Sequence, residues 1–370
     1  MKSPYILPLR RVMSSTGAAL FCLSIAACGG GGSDAESPPA VAATSAAPSA
    51  HATAVVSASK RSTAPAKTLA TKTTTTSPPV KRASTTMTST GDTLQVASTL
   101  PGFPHTFDVY RPAGATKAIV FLHGLGGYSW QIAYDLGLNS MMTTPTTSTV
   151  DWDWLEQNHT IAIFPQGQIP AGSTSPTWSD YVQNSGADDV GFLKALATYA
   201  KTQLGVTEVS ISGHSDGGAM TARMWCEATT SYKAFVSLAG PMPSKTYPTP
   251  AATCTPLSKA PYYAVIGGAD TTLQAFSRGA IQPTAQQISV GLTNSILVSE
   301  WSRHRDRATK VCGTAALLVP TSTPTYGETW NSCNSQVRYT VVTNADHPIE
   351  SLQQYMGVQM LDLIRGFVQQ

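Results

Sequence analysis

Short apolar runs alternate with amphipathic stretches along the chain from about residue 105 onward. Apolar runs bounded by turn residues predict strands, whereas apolar positions three and four residues apart predict helices. Strands are predicted near 105–111, 117–122, 160–164, 208–212, 234–238, 262–267 and 336–342. Helices are predicted near 187–204, 216–229, 285–303 and 350–368. An early hairpin followed by strand–helix alternation predicts an α/β domain, with a mostly parallel central sheet and helices on both faces.

The beginning of the chain has a different pattern. Residues 1–27 start with basic side chains and continue with a short apolar segment, which predicts a signal peptide rather than a membrane span. Small residues before Cys28 resemble a bacterial lipobox, which implies cleavage before Cys28 and lipid attachment to its thiol. Ordinary secretion is the alternative. We expect an exported lipoprotein, anchored through its lipid in the outer membrane of a Gram-negative bacterium and either periplasmic or cell-surface.

Residues 28–90 are rich in Ser, Thr, Ala and Pro and have too few apolar positions to form a core. This composition predicts a disordered linker. The remaining residues, 91–370, have the size of one domain. They carry 15 Lys and Arg against 19 Asp and Glu, a net charge of −4, although the whole chain has a net charge of +3. The positive excess therefore lies in the leader and linker, and the domain has no basic face that indicates nucleic-acid binding.

The sequence Gly-His-Ser-Asp-Gly at residues 213–217 carries the strongest chemical signal. A strand is predicted directly before it and a helix directly after it. This is the context that a G-x-S-x-G nucleophile elbow requires. A glycine-rich turn without a catalytic role has the same bare pattern, but the strand and helix around it favour a nucleophile. Ser215 is therefore the predicted nucleophile.

A serine nucleophile needs a base, and two histidines follow it in the sequence. His347 lies between the last predicted strand and the last predicted helix, in a loop that can reach back to Ser215. His304 lies in the charged stretch at residues 300–307, which is typical of a solvated helix face. We predict His347 as the base, with His304 as the alternative.

Seven carboxylates between Ser215 and His347 are candidates for the acid. Asp270 follows the apolar strand at 262–267 and a glycine turn, at the carboxyl edge where open α/β sheets place functional groups. Its alternative role is to cap the helix that follows. Asp216 and Asp346 adjoin the serine and the histidine, so we expect their side chains to point elsewhere. Asp270 is the predicted acid.

An oxyanion hole in such an enzyme uses two backbone N–H groups. The first is predicted at Asp216, the residue after the nucleophile. The second is expected from the glycine-rich loop at residues 123–127, with Leu125 as the predicted donor and Gly124 as the alternative. We expect His123 to shape this loop through hydrogen bonds rather than to take part in catalysis.

Six cysteines provide information on compartment and chemistry. Cys22 leaves with the signal peptide and Cys28 is the predicted lipidation site. An even number of remaining cysteines in an exported domain predicts two disulfides, for which three pairings exist. Nearness in sequence favours the pairs Cys226–Cys254 and Cys312–Cys333. The chain has no cluster with metal-ligand spacing, so we expect no metal and no cofactor.

The domain from about Phe107 onward resembles secreted α/β-hydrolase esterases, a family that includes polyhydroxyalkanoate (PHB) depolymerases and feruloyl or acetylxylan esterases. The stretches that carry the resemblance are 123–127, 189–193, 213–218, 225–227, Cys254 and 267–270. The resemblance implies an α/β-hydrolase fold with Ser215, Asp270 and His347 as the triad, in agreement with the choices above. The sequence departs from the family around the base, where residues 344–349 lack the usual preceding glycines and following aromatic residue.

These observations predict an exported serine esterase that works through an acyl-enzyme. The resemblance favours hydroxyalkanoate polyesters or their oligomers as substrates, with feruloyl or acetylxylan esters as the alternative. Trp178, Tyr181 and His214 are candidates for contacts with substrate, although the two aromatic residues could instead pack under a loop. A different class of protein, a non-catalytic binding lipoprotein with this fold, is disfavoured because such a protein needs no complete triad.

Overall fold

A long mixed sheet forms the centre of the computed structural model, which describes residues 84–180, 183–228, 230–240, 259–276 and 282–370. These residues belong to one unit, Thr73–Gln370. Its strands are β1 (Ser84–Met87), β2 (Thr93–Thr99), β3 (Thr106–Arg111), β4 (Lys117–Leu122), β5 (Thr160–Pro165), β6 (Glu208–His214), β7 (Phe235–Leu238), β8 (Tyr262–Gly267), β9 (Gly327–Ser332) and β10 (Val337–Val342). Its helices are α1 (Ser129–Asp135), α2 (Trp152–Gln157), α3 (Asp189–Gln203), α4 (Asp216–Glu227), α5 (Thr271–Phe276), α6 (Ala285–Ile288), α7 (Ser295–Cys312), α8 (Ile349–Met356) and α9 (Met360–Val368).

The strand order across the sheet is β1-β2-β3-β5-β4-β6-β7-β8-β10-β9. The six strands from β5 to β10 in this order pair in parallel, and antiparallel strands flank them on both sides. In parallel strands all carboxyl ends lie at one edge, so the loops after β4, β6, β8 and β10 meet there. The predicted fold class, a mostly parallel sheet with helices on both faces, is confirmed.

Each face of the sheet has its own apolar core. In β4, Ala118, Val120 and Leu122 contribute to one core, while Ile119 and Phe121 contribute to the other. Successive side chains of a strand point to opposite faces, so a strand buried on both sides must be apolar throughout. Helices α3, α4 and α7 cover the first face, and α1, α2, α8 and α9 cover the second.

The predicted strands and the first two predicted helices agree with the structure to within about two residues. The expected hairpin between the first two predicted strands, β3 and β4, is wrong, because β5 lies between them in the sheet. Three strands and three short helices that the pattern did not indicate are also present: β1, β2, β9, α1, α2 and α5. Strand β1 is exposed and pairs antiparallel with β2. It lies within residues 28–90, so the sheet begins inside the segment predicted to be a disordered linker.

The single helix predicted at 285–303 is wrong. The chain forms α6, turns at Gly291, which has a φ of +85°, and begins a separate helix, α7, at Ser295. Asn294 caps α7 by accepting hydrogen bonds from the N–H groups of Ile296 and Leu297. Likewise, the helix predicted at 350–368 is divided, because Gly357 ends α8 in a left-handed conformation. Glycine and Asn favour these boundary conformations, and they override the apolar periodicity.

The charged stretch of α7 was expected to be solvated, and this prediction is wrong for one face of the helix, although Arg305 is exposed. Glu300, His304 and Arg307 are all buried. Glu300 forms ion pairs with Arg303 and Arg307, and the Arg307 guanidinium lies 3.8 Å from the ring centre of Tyr262. These partners come from the same helix and from β8, so the burial cost of each charge is offset by pairing.

One of the two predicted disulfides, Cys312–Cys333, is confirmed. Cys226 is also disulfide-bonded, but Cys254 lies outside the described residues and its pairing stays a prediction. Residues 1–83, with the predicted signal peptide and Cys28, lie outside as well. Within the described ranges, the helices are too short or too polar to cross a membrane. The same ranges contain no group of three or more His, Cys, Asp or Glu side chains placed to hold a metal ion.

Candidate active site

The turn between β6 and α4 places Ser215 at the carboxyl edge of the sheet. Ser215 has φ +56° and ψ −121°, a conformation that costs energy for a residue with a side chain. The turn is so tight that a Cβ on Gly213 would overlap the carbonyl oxygen of Gly217. A Cβ on Gly217 would in turn lie against the carbonyl oxygen of Leu122 at the end of β4. Only glycine fits at these two positions, and the strained serine between them has the geometry of a nucleophile elbow.

The structure brings the three predicted side chains of the triad together. His347 Nε2 lies 2.8 Å from Ser215 Oγ, and His347 Nδ1 lies 2.8 Å from Asp270 Oδ2. The side chain of His347 is 13% exposed and that of Asp270 only 2%. The other oxygen of Asp270 accepts a hydrogen bond from the N–H of Leu273. Asp270 therefore both faces the base and caps α5, so the two roles considered for it coexist.

The contacts of the two ring nitrogens of His347 define which of them carries the proton. With Asp270 beside Nδ1, the His347 ring carries its proton on Nδ1 and presents the lone pair of Nε2 to the Ser215 hydroxyl. The alternative base, His304, is buried in α7 and contacts Ser332 of β9. His304 therefore takes no part in this arrangement.

His214 supports the base from the elbow itself. Its Nε2 donates a hydrogen bond to the backbone oxygen of His347 at 2.9 Å. Burial lowers the pKa of His214 to about 4, and the neighbouring His347 adds to this shift. A neutral ring at this position holds the loop of the base without repelling its positive form. The predicted contact of His214 with substrate stays a prediction.

Asp346 joins the loop of the acid to the loop of the base. Its Oδ1 accepts hydrogen bonds from the backbone N–H of Thr271 at 2.9 Å and of His347 at 2.8 Å. Although partial burial favours the neutral form, these bonds lower the pKa of Asp346 below its usual value. The carboxylate points away from the triad, as predicted. The sequence did not reveal its clamping role, because its partner Thr271 is distant along the chain.

His123 shapes the glycine-rich loop after β4, as expected. Its Nδ1–H donates to the carbonyl of Gly124 at 2.7 Å, and its Nε2 accepts from the N–H of Gly167 at 2.9 Å and from Gln166 at 3.0 Å. Burial lowers its pKa to about 4, so the ring is neutral. The loop thereby lies over the elbow: a Cβ built on Gly124 would be 3.1 Å from the Cβ of Ser215.

The two predicted oxyanion donors are the backbone N–H groups of Asp216, which follows Ser215, and of Leu125, which follows Gly124 in the glycine-rich loop. Asp216 is the first residue of α4, and the first N–H groups of a helix have no partner within it. Among the described residues, neither its N–H nor that of Leu125 has a hydrogen-bond acceptor. The positive end of the α4 dipole adds to the attraction for negative charge. The oxyanion hole formed by these two N–H groups stays a prediction.

The predicted contact of Trp178 with substrate is wrong for this structure. Its ring is fully buried, packs against His123 and His105, and donates its Nε1–H to the carbonyl of His123 at 3.0 Å. Trp178 therefore supports the loop from below, which was the alternative considered for it. Tyr181, the other predicted aromatic contact, lies outside the described residues.

Comparisons with known proteins place the chain at a distance from characterised sequences. No family model and no curated protein matches it. Solved structures that resemble it include an S-formylglutathione hydrolase from Agrobacterium tumefaciens, with 13% identity, coverage of 78% of this chain and 98% of that one, and a TM-score of 0.46. An acetyl xylan esterase from Aspergillus awamori has 15% identity, coverage of 69% and 94%, and a TM-score of 0.43.

These similarities are too distant to identify a reaction or a substrate. The strand order and the elbow between β6 and α4 nevertheless give the chain the α/β-hydrolase fold expected from its sequence. The chemistry must be inferred from the side chains at the carboxyl edge of the sheet.

Proposed function

We propose that this protein is a serine hydrolase of carboxylic esters. The observation that carries the proposal is the hydrogen-bonded line from Asp270 through His347 to Ser215, with the serine strained at the elbow. Nucleophilic catalysis requires a hydroxyl within hydrogen-bond reach of a base that a third group orients. A binding protein needs neither this order of groups nor the strained serine.

In the proposed reaction, His347 Nε2 accepts the proton of Ser215 while Oγ forms a bond to the ester carbonyl carbon. The oxyanion accepts hydrogen bonds from the N–H groups of Asp216 and Leu125. When the carbonyl reforms, the bond to the alcohol oxygen breaks, and the alcohol leaves with the proton from His347. The ionised Asp270 holds the Nδ1–H and stabilises the positive ring throughout.

Water then releases the acyl group by the same steps. It gives a proton to His347 and attacks the acyl carbon, and Ser215 takes the proton back as its bond to carbon breaks. The products are a carboxylic acid and the free enzyme. This reaction needs no electron transfer and no group beyond the side chains described.

A fluorophosphonate probe tests the proposal directly, because it forms a covalent bond only with an activated serine. We expect stoichiometric labelling at Ser215 and none in Ser215→Ala. Ser289→Ala, which changes an exposed serine at the end of α6, is the matched control and should be labelled fully. Absence of labelling in the folded natural protein would remove the hydrolase proposal and favour a binding role.

For the substrate, we infer an apolar ester such as a hydroxyalkanoate polyester or its oligomers. Leu125, next to Gly124 in the loop that contacts the elbow, is 49% exposed, and Ile169, in the segment that contacts this loop, is 54% exposed. The segment at residues 168–177 lies against the oxyanion loop, since the Gly126 N–H donates to the Pro176 carbonyl at 2.8 Å. Exposed apolar side chains beside a nucleophile favour a substrate with an apolar chain.

Rates on hydroxybutyrate oligomers, p-nitrophenyl acyl esters, feruloyl esters and acetylated xylan would test this inference. We expect the highest kcat/KM on hydroxybutyrate oligomers, and a loss on them in Leu125→Ser. A clear preference for feruloyl or acetylated xylan substrates would replace the polyester assignment with the alternative esterase activity.

We also propose export and lipid anchoring through Cys28, from the sequence alone. Cys28→Ser should move the protein from the membrane fraction to a soluble fraction while its esterase activity is retained. An unchanged distribution between the fractions would contradict the lipid anchor without affecting the proposed reaction.

A further inference from the structure

The side chain of Asp216 has a role of its own, separate from its backbone N–H. It is buried beside the elbow, where Oδ2 accepts hydrogen bonds from Thr177 Oγ1 at 2.8 Å and from the N–H of Trp178 at 2.9 Å. Oδ1 is buried too, and it accepts no hydrogen bond from the part of the chain that the structure describes. This carboxyl therefore ties the first residue of α4 to the segment that carries Trp178.

A second buried carboxyl belongs to the segment that Asp216 holds. Asp180 is buried and comes two residues after Trp178, whose N–H donates to Asp216 Oδ2. Besides burial, its charge and its hydrogen bond to the Asp216 side chain both raise the pKa of Asp216. Asp180 Oδ1 accepts a hydrogen bond from the N–H of Gln183 at 2.7 Å. Ionised carboxylates only accept hydrogen bonds, so two of them cannot bond to each other without a proton. A carboxyl pair buried in this way is stable when it holds one proton and one negative charge.

We propose that Asp216 and Asp180 share one proton at neutral pH, and that this acid pair positions the oxyanion donor at residue 216 relative to the Trp178 segment. The inference rests on the proposed esterase function. The proton lies on Asp216 Oδ1 and is donated to Asp180, which leaves Oδ2 as the acceptor for Thr177 and Trp178. Asp216 acts here as a positioning residue through its side chain, and Asp180 acts through Asp216.

The surroundings favour the protonated form. Burial raises the pKa of Asp216 to about 8, and the negative charge of Asp180 contributes further. The nearest cation on the same helix, Arg223, donates to the backbone oxygen of Ser179. The other titratable groups around the elbow and the Trp178 segment are His105, His123, Asp189, His214, His347 and Asp270.

Loss of this proton has a defined consequence. Above its pKa, Asp216 becomes an anion beside the negative Asp180, and the hydrogen bond between them is lost. The new charge also lies in the residue whose N–H would hold the oxyanion, and it disfavours negative charge there. We therefore expect kcat/KM to fall on the alkaline side, by about tenfold per pH unit once the proton is lost.

Asp216→Asn tests the pair, since its amide accepts from Thr177 and Trp178 and donates to Asp180 without titrating. In this variant the ratio of kcat/KM at pH 9 to that at pH 7 should rise several-fold above that of the natural protein.

Asp180→Asn should have the opposite effect on the pH profile. Its amide donates to Asp216 and favours the Asp216 anion, so the alkaline fall of kcat/KM should begin at lower pH. Asp153→Asn, at an exposed position of α2, is the control and should change neither profile.

Thermal unfolding without substrate separates the pair from the esterase proposal. The folded protein holds one more proton than the unfolded chain between about pH 4 and pH 8, so this group lowers stability as pH rises through that window. The Tm of Asp216→Asn should not show this fall with rising pH. If the natural protein hydrolyses no ester but this Tm difference is present, the proposed function fails and the pair stands. If the natural protein is active and Asp216→Asn has unchanged activity and Tm profiles, the pair is wrong.

Discussion

The part of the chain that the structure describes contains two histidine–aspartate pairs, and only one of these two reaches a nucleophile. His347 and Asp270 are 2.8 Å apart at the carboxyl edge of the sheet. His105 and Asp189 are even closer, with His105 Nε2 2.6 Å from Asp189 Oδ1, and both side chains are 0% exposed. By distance and burial alone, the second pair would be the better ion pair.

The difference lies in what surrounds each ring. At His347, the ring nitrogen that does not contact Asp270 faces Ser215. Asp270, His347 and Ser215 therefore form a hydrogen-bonded series that ends at the serine hydroxyl. At His105 the nearby serine, Ser185, donates to Asp189 and not to the ring, and the ring stacks on Phe192 with centroids 4.1 Å apart. A histidine–aspartate pair is chemically useful only when the other ring nitrogen is open to a partner that loses a proton. The His105 pair instead stabilises the segment around residues 179–189.

The largest difference is expected between the two serines. Ser215→Ala should lower kcat by about 10⁶-fold, because the covalent route is lost. Ser185→Ala removes one hydrogen bond to Asp189 and should lower the free energy of unfolding by about 1–3 kcal/mol while kcat changes little. Steady-state ester hydrolysis and urea unfolding of both variants measure this. A comparable loss of kcat in Ser185→Ala would show that the second pair takes part in the reaction.

The two aspartates, Asp270 and Asp189, should differ as the two serines do: one substitution should lower kcat and the other should lower stability. Asp270→Asn is expected to lower kcat by about 10⁴-fold through the wrong tautomer of His347. Asp189→Asn breaks a fully buried pair and should lower the free energy of unfolding by about 3 kcal/mol, with activity retained per folded molecule. Active-site titration with the fluorophosphonate probe gives the folded fraction. If Asp189→Asn loses turnover without losing stability, the distinction between the pairs is wrong.

A smaller effect is expected at Asp346, which joins the loops that carry Asp270 and His347. Asp346→Ala removes the acceptor that joins the N–H groups of Thr271 and His347, and the base should lose some of its orientation. We expect kcat to fall about tenfold with little change in KM. Glu350→Ala, on the exposed first turn of α8, is the matched control. Equal kcat in both variants would mean that the loop of the base is held by other contacts.

The smallest effect should come from His304, a buried histidine that pairs with no aspartate among the residues that the structure describes. Burial lowers its pKa to about 3, and the charge of Arg307 adds to the shift. The unfolded chain binds this proton at higher pH than the folded protein, so stability falls as pH drops from about 6.5 toward 3. His304→Gln should reduce that slope in thermal unfolding and leave kcat unchanged, whereas the exposed control His159→Asn should keep it. A steeper slope in His304→Gln would contradict the buried neutral ring.

Much of the fold and the candidate site was readable from local sequence. Strands β4 and β8 are apolar on both faces, and β6 alternates apolar residues with Ser210 and Ser212; these patterns made the three strands recognisable. The order strand, glycine turn, serine, glycine, helix identified the elbow. Both signals are confined to about ten neighbouring residues, within which backbone geometry and side-chain pattern are coupled.

The errors at α7 and Trp178 have a common cause in contacts between distant residues, whereas the two helices predicted as continuous are broken locally at Gly291 and Gly357. The charged stretch of α7 was assigned to solvent because its partner in β8, Tyr262, is far away in sequence. Trp178 stayed a candidate for substrate contact because the residues that pack against it, His123 and His105, come from other loops. The carboxyl pair of Asp216 and Asp180 was equally invisible, since nothing in the sequence around either residue indicates the other.

The sequence by itself determined the order of the elements, the position of the elbow and the small set of residues able to act as base and acid. Only the tertiary structure decided which histidine and aspartate meet the serine, and that His105 and Asp189 form a similar but closed pair. The physical reason is that propensity and periodicity act along the chain, whereas hydrogen bonds between side chains and the access of a ring to solvent depend on how the loops at one sheet edge pack together.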